Sequence, residues 1–89
     1  MIILSNGENI CPEELENMFY NDVLVKKCRV KETEVNGRRV LGIDIVPNKE
    51  IFPKSTADEI KYRLQETLDR INETLPSYKQ IAVMQVLEQ

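Results

Sequence analysis

The chain has no histidine and no tryptophan, only two cysteines and three glycines, and no long apolar run. Each absence closes a class of function. Without histidine, neither a serine hydrolase triad nor an imidazole-activated thiol can be assembled. Cys11 and Cys28 are too few for a disulfide framework, and with no histidine beside them no metal site is expected. A phosphate-cradling loop needs several glycines between a strand and a helix, and Gly7 stands alone. No catalytic group is therefore expected within these residues. No segment approaches the ~20 apolar residues that cross a bilayer, so no transmembrane segment is expected. The start, Met1-Ile2-Ile3-Leu4 followed by Ser5-Asn6-Gly7-Glu8, carries no basic leader. That argues against a signal peptide and for a cytoplasmic location.

What is present fits one small domain over residues 1–89, with 42% apolar and 30% charged residues. The net charge of −3 argues against a nucleic-acid partner, which requires an excess of cations to displace counterions from phosphates. Basic residues cluster at Lys26-Lys27-Cys28-Arg29 and at Arg38-Arg39. They read as solvated strand and turn positions, with a phosphorylated ligand as the competing reading.

Periodicity divides the chain into six elements. Met1–Leu4 reads as the end of a short strand, and Ser5–Asn9 as a loop rich in residues that accept positive φ or offer hydrogen bonds. Pro12 suits a first helical position, Glu13, Glu14 and Glu16 suit the positive helix end, and Leu15, Met18 and Phe19 form an apolar stripe. Alternation from Val23 to Lys31 predicts a strand, with Cys28 as a small core residue. Asn36-Gly37 predicts a type I′ hairpin turn, and Val40–Val46 is the returning strand, stopped by Pro47. Asn48–Lys54 reads as a polar loop. Thr56 and Glu59 have capping-box spacing, and Ile60, Leu64, Leu68, Ile71 and Leu75 recur on one helical face until Pro76. Ile81–Leu87 is apolar on both faces, which predicts an interior strand. The order strand, helix, strand, strand, helix, strand means an α+β fold, with two helices on one face of a small sheet. Leu15, Phe19, Val30, Ile43, Leu64, Leu68, Ile71 and Val83 are the expected core.

Two stretches resemble a known family. Ile2 to Glu16, with Gly7-Glu8-Asn9, Ile10, Pro12 and Glu14-Leu15-Glu16, resembles the C-terminal half of the eighth core motif of adenylate-forming (AMP-binding) enzymes. Leu75-Pro76-Ser77-Tyr78-Lys79-Gln80-Ile81 is similar to a second stretch of their small C-terminal domain. Asn6 to Asn9 with Pro12-Glu13-Glu14 looks more like acyl-CoA ligases than peptide-synthetase adenylation domains. The Leu75–Gln80 segment leans toward bacterial long-chain fatty acid ligases.

The resemblance implies that the chain is part of the C-terminal lid domain of an acyl-CoA ligase. The family's hinge residue and its terminal lysine motif have no counterpart in the sequence. In such enzymes a carboxylate attacks ATP to give acyl-adenylate and pyrophosphate, and the thiol of CoA then displaces AMP. The lid takes one orientation for each step. The implied partners are an N-terminal adenylation domain, CoA and acyl-adenylate, with ATP, Mg and CoA as cofactors of the parent and none bound by this chain. Ser5, Asn6, Gly7, Glu8 and Asn9 would face CoA in the thioester step, and Arg38, Arg39 and Lys79 would meet its phosphates. Element order alone also allows a free-standing ferredoxin-like module that binds a small molecule or regulates.

Overall fold

The computed structural model describes residues 2–3 and 9–87, and side chains over 10–87. β1 (Ile2–Ile3) and β2 (Asn9–Ile10) pair antiparallel and lead into α1 (Pro12–Tyr20). β3 (Val25–Val35) and β4 (Arg38–Pro47) form a long hairpin, and α2 (Ala57–Glu73) then crosses over to β5 (Ile81–Val86), which lies parallel to β4. The three-stranded sheet has the order β3-β4-β5. This is the α+β arrangement that periodicity predicts. It departs from a ferredoxin-like sheet, because the first strand pairs with β2 and not with the three-stranded sheet. No described helix is long and apolar enough to cross a membrane.

Local chemistry explains each boundary. Pro12 occupies the first position of α1, where a missing N–H costs nothing. Cys11 is its N-cap, and its thiol donates to the Glu13 carboxylate at 3.3 Å. The hairpin turns on Asn36 and Gly37, at φ 53° and 78°, the left-handed values a type I′ turn requires. The Thr56 hydroxyl accepts the Glu59 N–H at 3.2 Å and starts α2.

The core forms where helix stripes meet alternate strand residues. Leu41, Ile43 and Ile45 of β4 share one face and join Leu15 and Phe19 of α1 with Leu64, Leu68 and Ile71 of α2. Two expectations fail together. Val83 is 37% exposed, and β5 is an edge strand. The interior strand is β4, whose residues from Leu41 to Pro47 are buried except Asp44. β5 packs only one face on the helices and bonds on one side only. The 48–54 loop is not wholly polar either, because Phe52 is buried at 5% exposure and joins the core. Cys28 is half-buried against that core.

Candidate functional site

Sequence analysis points to residues 5–9, 38, 39 and 79. Ser5, Asn6, Gly7 and Glu8 lie outside the described residues, as does the side chain of Asn9. The backbone on either side is described. Ile3 pairs with Asn9 and Ile2 with Ile10, so both ends of the connecting segment are held together. Ile10 is 1% exposed and anchors that segment to the core. Cys11 and Pro12 turn the chain at once into α1, where Glu13 and Glu14 occupy the first turn. A backbone hydrogen bond and the Cys11 thiol both lower the Glu13 pKa.

Arg38 and Arg39 open β4, and Lys79 sits in a 3₁₀ turn (Ser77–Lys79) two residues before Ile81 opens β5. Leu41 and Ile81 are partners in the parallel ladder. The structure therefore brings the arginines and Lys79 to one end of the sheet. Two turns of α1 fix where β2 lies. Glu16 bonds Val30 and Tyr20 bonds Cys28, so the start of α1 points toward the Val35–Arg38 end as well. Arg38 and Arg39 do not act as a pair. They are neighbours in a strand and project to opposite faces. Arg39 pairs with Glu32 at 3.3 Å, and the Lys79 ammonium lies 5.8 Å from the Tyr78 ring centroid.

The turn that carries Lys79 is pinned by residues that the sequence did not single out. The Asn72 side chain accepts from the Ile81 N–H and donates to the Ile81 carbonyl, each at 2.9 Å. In effect its amide adds one strand residue to the edge of β5. The Gln80 amide donates to the Leu75 carbonyl and to the Asn72 carbonyl, which also accepts the Leu75 N–H at the end of α2. On the other side of the sheet, α1 treats β3 in the same way. The Tyr20 hydroxyl accepts from Cys28 N–H and donates to Cys28 C=O, both at 3.2 Å. Glu16 Oε2 accepts the Val30 N–H at 2.8 Å. Glu16 is thus structural, as its place in the helix suggests. Burial, reinforced by Glu16, pushes the Cys28 thiol up to about 11, so it is no nucleophile at neutral pH.

Asp22 ties the α1–β3 turn to α2. Its carboxylate accepts from Leu24 N–H, from the hydroxyl of buried Thr67 and from Arg70 at 2.8 Å. Burial raises its pKa, but these donors and the Arg70 charge outweigh burial and hold it below its usual value. A cleft of about 600 Å³ lies at the opposite end of the sheet, between Pro47, Phe52, Ile60 and Met84. Among the described residues no cluster of acidic or sulfur ligands could hold a metal ion.

Comparisons with known proteins bear on the family and the fold. The family described as the AMP-binding enzyme C-terminal domain matches residues 1–88. No curated protein sequence matches the chain. Among solved structures, the A-PCP didomain of a carboxylic acid reductase from Segniliparus rugosus, in complex with AMP, is 25% identical with a TM-score of 0.72. It covers 97% of this chain and 12% of its own. A fatty acyl CoA synthetase from Mycobacterium tuberculosis is 19% identical, TM-score 0.69, covering 100% and 16%. A benzoate CoA ligase from Burkholderia xenovorans LB400 is 14% identical, TM-score 0.71, covering 90% and 15%. The chain therefore spans only a small part of the proteins it matches.

Proposed function

Because this chain belongs to the C-terminal domain family of AMP-binding enzymes, we propose that it is the lid of an ATP-dependent acyl-CoA ligase. The acyl substrate is a fatty acid of long chain, and the setting is cytoplasmic. A larger adenylation domain binds ATP, Mg and the acid and forms acyl-adenylate. The lid then presents residues 5–9 to CoA while its thiol displaces AMP.

The observation that carries this reading is the family match over nearly the whole chain, residues 1–88. A glycine at position 7 allows backbone to approach a ligand, and polar neighbours can bond an amide-bearing arm. Arg39 and Lys79 lie at one end of the sheet, where the phosphates of CoA would be met, and Arg38 reaches the opposite face of that end. The likeness to the reductase didomain favours a second reading, in which the same lid serves an adenylating enzyme whose acyl acceptor is a carrier-bound thiol.

The test uses the full-length enzyme with Gly7→Leu. Thioester formation should fall by about tenfold or more, equivalent to ~1.4 kcal/mol of transition-state stabilisation. Pyrophosphate exchange, which reports acyl-adenylate formation, should stay within a few-fold of the parent. Equal loss in both half-reactions would assign Gly7 a purely structural role. Activity with a carrier-bound thiol and none with CoA would favour the second reading.

A further inference from the structure

We propose that Asn72 is a positioning residue for acceptor choice. It fixes Lys79 so that a thiol acceptor carrying nucleotide phosphates is preferred over a bare pantetheine arm. The inference rests on the CoA reading given above, and adds to it a residue that acts only through another.

The cations at this end of the sheet are not equivalent. Arg39 is paired with Glu32 at 3.3 Å, so part of its charge is already met within the hairpin. Arg38 projects to the opposite face. Lys79 makes no ion pair among the described residues. Its ammonium stands over the Tyr78 ring, 5.8 Å from the centroid. That ring packs against the core, so the lysine head leans on a fixed surface. In a chain of net charge −3, an arriving phosphate finds its unpaired cation on this face at Lys79.

A lysine on a flexible stem is only as well placed as its backbone. Residues 74–80 carry the chain from the end of α2 to the first residue of β5. Backbone bonds shape the turn itself: Lys79 N–H donates to the Pro76 carbonyl at 2.9 Å and Gln80 N–H to the Ser77 carbonyl at 3.3 Å. These bonds are local and would persist if the turn swung as a unit. Two side chains prevent the swing. The Asn72 amide holds both the N–H and the carbonyl of Ile81 at 2.9 Å, and Ile81 is itself buried. The Gln80 amide reaches back to the Asn72 carbonyl at 3.1 Å and the Leu75 carbonyl at 3.2 Å. The turn is thus tied to the last turn of α2 just past Lys79. Aspartate at position 72 would keep the acceptor and lose the donor, and alanine would lose both. A fixed backbone lowers the freedom given up when Lys79 closes on a phosphate, and affinity rises accordingly.

The experiment is steady-state thioester formation by the full-length enzyme with CoA or with pantetheine. It compares the parent, Asn72→Ala, Lys79→Ala and the two substitutions together. Asn72→Ala should raise KM for CoA by about tenfold, equivalent to ~1.4 kcal/mol, while kcat stays within a few-fold. With pantetheine the same variant should match the parent. In the Lys79→Ala background Asn72→Ala should add nothing, because the group it places is gone. Gln80 is exposed, and Gln80→Ala should raise KM for CoA by a smaller factor. It carries the test if Asn72→Ala does not fold. Equal losses with CoA and pantetheine, or additive effects of Asn72→Ala and Lys79→Ala, overturn the proposal, since a purely structural role predicts both. If Lys79→Ala leaves KM for CoA unchanged, the phosphate reading itself falls and takes this inference with it. A raised KM in Lys79→Ala beside parental values in Asn72→Ala and Gln80→Ala refutes this inference alone.

Discussion

At the residue scale, the two cysteines predict a difference in reactivity that needs no catalytic role. Cys11 is exposed, whereas the Cys28 thiol is half-buried, pushed up to about 11, and donates to the Glu16 carbonyl at 3.6 Å. Iodoacetamide at pH 8 should modify Cys11 while Cys28 reacts only as the chain unfolds, a contrast read directly by peptide mass spectrometry. Equal rates would show that Cys28 is open. Gly37 gives a clean test of backbone strain, because a Cβ added there meets nothing within 4 Å while φ stays at +78°. Gly37→Ala should therefore cost about 1–2 kcal/mol from conformation alone, measured as a shift in the denaturation midpoint. Leu68, at 3% exposure in the centre of α2, should cost roughly 2–5 kcal/mol when cut to alanine.

At the element scale, the legible features were those carried by local chemistry. Pro12, Asn36-Gly37, Thr56 and Pro76 each impose a backbone condition on their own neighbours, and the ends of α1, β4 and α2 follow from them. The apolar stripe of α2 was equally plain, since Leu64, Leu68 and Ile71 repeat at helical spacing. What escaped was fixed by contacts distant in sequence. β5 reads as interior because Val83 is apolar, but strand order is set by the crossover of α2, which leaves β4 in the middle. Phe52 and Ile51 are adjacent apolar residues in a polar loop, and no period marks which of them is buried. The Asn72–Ile81 and Glu16–Val30 bonds span nine and fourteen positions, and neither spacing is a motif. For the candidate site the limit was of another kind. Residues 5–9 were legible only through resemblance, because one glycine and a few polar side chains describe many turns. The adjacency of Arg38 and Arg39 in sequence also hid their separation onto two faces.

At the scale of the whole molecule, Asp22 makes stability depend on acid. Its carboxyl is held below the unfolded value, so its contribution is full above the unfolded pKa of about 3.9. It is lost as pH falls through the lower folded value. Thermal unfolding between pH 5 and pH 2 should show a loss of melting temperature that Asp22→Asn removes in part. An unchanged slope in the variant would mean that other carboxylates carry the transition. The bonds from Tyr20 and Glu16 to β3 have a further consequence, for aggregation. A three-stranded sheet has two raw edges, each able to recruit a strand from another copy. On β3 the first outward amides are occupied by α1, and beyond them Glu32 and Glu34 repel a like neighbour. On the β3 edge, sticking therefore begins when α1 lifts away. Tyr20→Phe with Glu16→Ala should leave the fold in place and still shorten the lag before fibrils or oligomers form. The readiness of this one edge to recruit a strand is then governed by one hydroxyl and one carboxylate.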